Sequence, residues 1–295
     1  LQKLTYDIYY IKHQNLAFDL VILFKTVKNT ENIDKLYENF IKLIEDLTIQ
    51  DINEIFEKTS EILDKNNIKL AHKNIAELGS GWVPIFPYQL ITEGKVKKVD
   101  TYDVNEHFSQ KEIEQLNAFY ANQFDCVFEK KGKYNLLKGV SYFPKTTICE
   151  GEIQNIDLVL SRFVLEHVTP KDLVEIHRFL YSNLKSGSLV LHLISPSDHR
   201  AYSDSSLSLQ DFLKYSEDEW NQIQTKFDYH NRLRLPQYIK ILSECFEIIY
   251  FEHDKINRDS DSYKKFKKLK IHKDFAGFSD QELMAGSINI LLKKK

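Results

Sequence analysis

The densest run of chemically useful residues is Glu77-Leu78-Gly79-Ser80-Gly81-Trp82-Val83-Pro84. Two glycines one residue apart let the backbone turn sharply and approach a ligand closely, because neither carries a Cβ. The apolar run NIAEL (74–78) leads into them and a helical stretch follows, with Pro84 suited to a first helical turn. Asp103 stands directly after the next apolar run, VKKVDTY (96–102), where a carboxylate accepts hydrogen bonds from ribose hydroxyls. Strand, glycine loop and acid after the next strand together point to a nucleoside-bearing ligand.

The elements that must hold these residues are short apolar runs alternating with helical stretches. The runs are 74–78, 96–102, LVLS (158–161), SLVLHLI (188–194), FEIIYF (246–251) and SINILL (287–292), with a weaker one at GVSYF (139–143). Helical patterns fall between most of them, notably 108–130 and 170–184. Such alternation predicts a parallel α/β sheet with right-handed crossovers. The last two runs lack a plain helical crossover, which predicts an antiparallel final strand. Residues 31–70 read as a helical connector, with Leu36, Phe40, Leu43 and Leu47 at three- and four-residue spacing.

Composition narrows the classes. At 42% hydrophobic and 28% charged residues, with a net charge of -3, the chain reads as a globular protein with no global call for nucleic acid. Cys126, Cys149 and Cys245 form no CxxC pair and read as reduced, buried thiols of a reducing compartment, which suggests a cytoplasmic location. There is no apolar run of membrane-spanning length and no signal-peptide pattern. Glycine is needed at position 84 for the dinucleotide fingerprint, so Pro84 puts an NAD oxidoreductase last. Glu77, an acid ahead of the loop, suits a cationic sulfonium nucleoside better than a pyrophosphate. S-adenosylmethionine is therefore the expected cofactor.

ELGSGW, the acid in TYDVN, and NIDLVLSRFVLEHV resemble the motifs of class I S-adenosylmethionine-dependent methyltransferases over about residues 71–295. That resemblance implies a Rossmann-like seven-stranded sheet with an antiparallel last strand. Carried onto this chain, it places Glu77, Gly79, Ser80 and Gly81 around the methionine part of the donor. It makes Asp103 the ribose acid, with Val104 and Asn105 flanking the adenine, and turns Ser161, Arg162 and Phe163 toward the donor. Val83 stands where the family often has a third glycine, and Glu150 and Glu152 are the candidates for an adenine-side acid.

The second half is similar to methyltransferase-like proteins associated with polysaccharide biosynthesis, through LHLISPSDHRAYSDSSLSLQDFLKYSEDEW and YHNRLRLPQYIKIL. This implies an acceptor pocket built by Asp198, Tyr202, Asp204, Trp220, Asn231, Arg232 and Arg234, whose aromatic faces and polar groups suit sugar rings. The plainer reading is that these residues bond one another to cap the sheet. An oxygen acceptor needs a base, and the candidates are His199, His167 and His230, with Asp198 beside His199 to fix its tautomer. His192, Asp198, His199 and Asp204 match no ligand spacing, so no metal is expected.

The leading segment TYDIYYIKHQNLAFDLVILFKTVK resembles the C-terminal tail of bacterial sugar transferases that load a sugar phosphate onto a polyprenyl phosphate, over residues 1–30. No catalytic motif of that family accompanies it. A chain that starts at Leu1, with its single methionine at Met284, then reads as one cut from a longer fusion. This context implies surface-glycan assembly at the inner face of the cytoplasmic membrane. The basic run Lys264 to Lys273 reads as a solvated helix face, with anionic lipid or a diphosphate-linked glycan as the other reading. The leading expectation is a saccharide O-methyltransferase. A methyltransferase on another small molecule or lipid, and a non-catalytic scaffold of a glycosylation complex, are the alternatives.

Overall fold

A computed structural model describes residues 54–224 and 229–294. The sugar-transferase-like segment 1–30 and residues 31–53 of the helical connector lie outside the described residues; 54–65 are helical (α1). The other elements are β1 (Asn74–Leu78), α2 (Ile85–Thr92), β2 (Lys98–Asp103), α3 (Gln110–Gln123), β3 (Phe128–Lys131), β4 (Tyr134–Leu137), β5 (Val140–Pro144), β6 (Leu158–Arg162), α4 (Pro170–Asn183), β7 (Leu189–Ile194), α5 (Arg200–Ser203), α6 (Glu217–Ile223), α7 (Leu235–Ser243), β8 (Glu247–His253), α8 (Asp261–Phe266), α9 (Asp280–Met284) and β9 (Ile288–Lys293). One seven-stranded sheet has the order β5-β2-β1-β6-β7-β9-β8. All seven expected runs are strands of it, and β9 is the expected antiparallel last strand.

The chain divides into two compact units, residues 1–74 with 80–146, and 75–79 with 147–295. In the first, β2 and β5 pair in parallel from Val99↔Val140 to Asp103↔Pro144. A core of Tyr88, Phe108, Ile113, Tyr120, Tyr134 and Leu136 packs beside them. The helix expected over 108–130 stops at Gln123, and β3 pairs with β4 as an antiparallel hairpin closed at Lys131↔Tyr134. The helix ends where Phe124 turns extended, and Gly132, with a φ of +61°, opens the two-residue loop of the hairpin.

In the second unit β1, β6 and β7 run parallel, while β9 pairs antiparallel with both β7 and β8. Strand β7 is buried at all six positions, which explains why LVLHLI reads as a continuous apolar run. Helix α4 starts on Thr169, whose side chain accepts from the Asp172 N–H, with proline at the first helical positions. Such a cap contributes about 1 kcal/mol. A second apolar cluster of Phe212, Leu213, Trp220, Phe266, Phe275 and Leu283 lies under the segment after β7. In the basic run, Phe266 is buried while Lys264 and Lys267 pair with Asp261 and Asp280. The three cysteines are free and only partly buried, short of the full burial expected. Among the described residues no helix is long and apolar enough to cross a membrane.

Candidate functional site

The first unit carries the acid. Asp103 ends β2 and its carboxylate is gripped by backbone: the Ser80 N–H donates to Oδ2 at 3.0 Å and the Asn105 N–H to Oδ1 at 2.8 Å. His107 Nε2 lies 3.5 Å from Oδ1. Burial is the largest single influence on this carboxyl and opposes ionisation, but the hydrogen bonds of His107, Asn105 and Ser80 outweigh it and hold the group below its ordinary range. Gly81 has a φ of +64°, and a Cβ built there would meet nothing within 4 Å, so its face of the loop is open. Pro84 is the N-cap of α2, one residue earlier than a first helical position.

Around the acid stand residues that sequence reasoning did not select. The Trp82 and His107 rings are 4.4 Å apart, and Tyr142 accepts the His107 N–H at 3.0 Å while stacking on Phe108 at 3.8 Å. Val104 is 68% exposed, an apolar side chain standing in the open directly after the acid. A loop aromatic and a histidine four positions past an acid were the available signals. Their meaning depends on the fold bringing Trp82 to His107.

The second unit holds the other residues expected to face the donor. Glu77 is fully buried and pairs with Arg162 at 3.3 Å. Gly79 has a φ of +82°, and a Cβ there would fall 2.3 Å from a Val164 methyl, so glycine is required twice over. Phe163 is left-handed at φ +53°, with its N–H on the Leu193 carbonyl at 2.8 Å. Ser161 departs from expectation, because its hydroxyl belongs to a buried relay. The Leu173 carbonyl can only accept, so His177 Nδ1–H donates to it at 2.6 Å. His177 Nε2 then accepts from His192 Nε2–H at 3.0 Å, and His192 Nδ1 accepts the Ser161 hydroxyl at 2.6 Å. Burial lowers both imidazoles, His177 to about 4, so the relay is neutral. Glu150, a candidate adenine-side acid, closes the capping box of the short helix at Ile148–Glu150.

The three candidate bases converge. His167, His199 and His230 come from the turn after β6, the start of α5 and the segment before α7, with one nitrogen from each within 4.8 Å of the others. Their ring centroids are 5.1 Å (167–199), 4.6 Å (167–230) and 3.8 Å (199–230) apart. His199 and His230 line a cavity of about 140 Å³ with Asp198, Arg200, Trp220 and Gln224. Asp198 does not do what the sequence suggested. Its carboxylate is bound bidentately by Arg200, with Nε at 3.0 Å on Oδ1 and the other guanidinium nitrogen at 2.6 Å on Oδ2. The charge partner of Asp198 is Arg200, which sequence reasoning passed over although it lies two residues on.

Most of the expected acceptor residues hold the fold instead. Asn231 donates to the carbonyls of Leu165 and Val168 and accepts from the Leu233 N–H and the Tyr238 hydroxyl. Arg232 donates to the carbonyls of Phe212 and Tyr215 and pairs with Glu217. Arg234, 1% exposed, donates to the carbonyls of Arg232, Leu283 and Pro196. Trp220 donates its indole N–H to the His230 carbonyl at 3.1 Å, so it positions that histidine while lining the cavity. Asp204 is exposed and turns the chain onto Ser206. Tyr202 stands beside the His199 ring at 5.4 Å.

No protein-family model matches the chain, and no curated protein does. Solved structures similar to it include a putative S-adenosylmethionine-dependent methyltransferase from Listeria monocytogenes, at 14% identity over 80% of this chain and 96% of that one, TM-score 0.44. Another is magnesium protoporphyrin IX methyltransferase from Synechocystis PCC 6803 with S-adenosylhomocysteine bound, at 11% identity over 86% and 87%, TM-score 0.49. A third is a putative sarcosine dimethylglycine methyltransferase from Galdieria sulphuraria, at 16% identity over 85% and 88%, TM-score 0.46. Likeness of this degree leaves the function to be read from the chain's own residues.

Proposed function

We propose that the chain is an S-adenosylmethionine-dependent methyltransferase whose acceptor is a hydroxyl of a saccharide or glycan intermediate. The observation that carries the donor reading is Asp103, an ionised carboxylate at the carboxyl end of β2, fixed by the N–H groups of Ser80 and Asn105 beside the open face of Gly81. A ribose diol needs such an acceptor, and the Ser80 hydroxyl, which donates to Oδ2 at 3.1 Å, is the donor a diol would replace. Exposed Val104 offers an adenine an apolar surface. When bound, the donor supplies an electrophilic methyl group for in-line displacement.

The chain's own work is to position the acceptor and receive its proton. The imidazoles of His167, His199 and His230 are the groups proposed for the proton. The Asp198–Arg200 pair, beside His199 in one cavity, suits the hydroxyls of a sugar, while the Trp220 ring backs the Arg200 guanidinium at 4.9 Å. The resemblance of residues 1–30 to sugar-transferase tails supports assembly of a surface polysaccharide as the setting. Transfer of labelled methyl from the donor to a panel of nucleotide sugars and polyprenyl-linked glycans tests the reading. Label on a saccharide oxygen is expected; label confined to amines or to lipids without sugar contradicts the acceptor assignment.

A further inference from the structure

Three imidazoles gathered from three separate segments are more than one proton transfer requires. A lone histidine suffices as a base. The set contains no carboxylate, and Asp198, which lines the same cavity as His199 and His230, is taken by Arg200. Three nitrogen donors with nothing anionic among them are the ligand set of a catalytic-type zinc site, which keeps a fourth position for water or substrate.

We propose that His167, His199 and His230 bind a divalent transition-metal ion, zinc in the first place, with an exchangeable position on the side of the cavity that His199 and His230 line. The orientation of His167 supports this. Its Nδ1–H donates to the Tyr229 carbonyl at 2.9 Å, which fixes the tautomer and leaves the Nε2 lone pair as the donor. An outer hydrogen bond from a ligating histidine to a carbonyl or carboxylate is the usual support of such a ligand. The loop bearing His230 is held just as firmly: the His230 N–H donates to Gln224 at 3.1 Å and its carbonyl accepts from Trp220. Asn231, next in the chain, is bonded to the carbonyls of Leu165 and Val168 on the turn that carries His167. This ties two of the three ligands to one scaffold.

The geometry leaves a small adjustment. In a tetrahedral site with Zn–N of 2.0–2.1 Å the ligand nitrogens stand about 3.3 Å apart, against an upper bound of 4.8 Å here. Side-chain rotations of His199, which heads the short helix α5, can bring that closure. Imidazole donors also accept copper and nickel, so the donor set defines the class of ion and the tetrahedral preference favours zinc. The assignment stands without methyl transfer. Where both hold, the ion's charge would lower the pKa of an acceptor hydroxyl, in place of a free imidazole acting as base.

The test uses the full chain without a tag, freed of metal by dialysis against a chelator and measured with no donor present. Titration with zinc chloride by calorimetry is expected to show one ion per chain at micromolar affinity or tighter. Titration with cobalt chloride is expected to give the intense visible bands of a four-coordinate ion. His199→Ala and His230→Ala should each weaken zinc by more than about 100-fold, beyond what loss of a ligand's outer partner costs, whereas His272→Ala should not. Far-UV circular dichroism checks that each variant is folded; should His230→Ala unfold, His199→Ala and the wild-type cobalt spectrum decide. Absence of saturable zinc binding, a weak six-coordinate cobalt spectrum, or zinc binding undiminished in folded His199→Ala would each overturn the site. Binding of S-adenosylhomocysteine is scored separately, so failure of the metal site and failure of the donor reading are distinguishable.

Discussion

The loop at Ser80–Gly81 with its acid, and the polar segment from Asp198 to Arg234, are both rich in groups that could meet a ligand, yet they use them oppositely. At Asp103 the fold supplies backbone N–H groups to a carboxylate, and Gly81 leaves open space beside it. In the later segment, side chains supply hydrogen bonds to the fold. Asn231, Arg232 and Arg234 are buried and bonded to backbone carbonyls, which would otherwise be left unsatisfied at a cost of about 1–3 kcal/mol each. Residue type alone does not separate these two uses. What separates them is enclosure: Asn231, Arg232 and Arg234 are closed off by the fold, whereas open space lies at Gly81 in the loop that holds Asp103.

Substitutions in both regions sharpen this contrast. Arg234→Ala should remove three carbonyl partners at once and destabilise the chain by more than about 3 kcal/mol, read as a fall in the urea midpoint. Asp204→Ala, on an exposed turn of the same segment, should leave the midpoint unchanged. An Arg234→Ala protein of normal stability and weakened acceptor binding would return that arginine to the acceptor side. His199→Ala should retain donor affinity and lose about 10²–10⁴-fold in turnover, measured by methyl transfer to the saccharide acceptor. Full turnover would remove His199 from the chemistry and leave His167 and His230.

Gly79 and Gly81 differ in the same way and should respond differently. Gly79→Ala meets a Val164 methyl at 2.3 Å and also strains a left-handed backbone, so it should destabilise the fold by about 1–3 kcal/mol or more. Gly81→Ala has only the backbone penalty, about 1–2 kcal/mol, and places its methyl on the open face. It should therefore weaken S-adenosylhomocysteine more than it lowers the urea midpoint. Equal effects of the two changes on stability would mean the open face is an incidental gap.

The last effect is a pH slope in the second unit. The folded-state pKa values of His177 and His192 lie below the ordinary 6.5, with His177 at about 4, while the unfolded chain protonates both near 6.5. Between these values the unfolded state binds more protons, so stability falls as pH drops, by roughly 1.4 kcal/mol per pH unit for each imidazole. Urea melts from pH 7.5 down to pH 5 should show the loss, and His177→Gln should flatten it. A slope unchanged in His177→Gln would show that the relay is not what titrates.

Much of the fold was legible because it rests on periodicity. Each apolar run became a strand, and even the weak run at 139–143 was real, since Val140 pairs with Val99 in the register that carries Asp103 to Pro144. The hairpin β3–β4 was missed because Phe128, Glu129 and Lys130 fell inside the helix expected over 108–130 and the rest of FEKKGKYNLL was assigned to no element. Gly132 was the signal for the hairpin turn. At the site, the glycine loop and the acid stood out because each directly follows an apolar run, although the contact between them, Ser80 to Asp103, spans 23 residues. The convergence of His167, His199 and His230 was not legible, since positions over 30 residues apart carry no spacing rule until the strands bring their ends together. The bond of the Ser161 hydroxyl was not legible for a related reason: its partner His192 sits on another strand, and His177 beyond it on a helix.

The central claim, that Asp103 and its loop hold the nucleoside of a sulfonium donor, is tested most directly by calorimetric titration of the full chain and of Asp103→Ala with S-adenosylhomocysteine. The wild-type chain should bind one molecule saturably, and Asp103→Ala should bind at least about tenfold more weakly, the loss of a hydrogen-bonded charged group being about 1.5–3 kcal/mol. Binding of NADH with none of S-adenosylhomocysteine, or an Asp103→Ala protein of undiminished affinity, would contradict it.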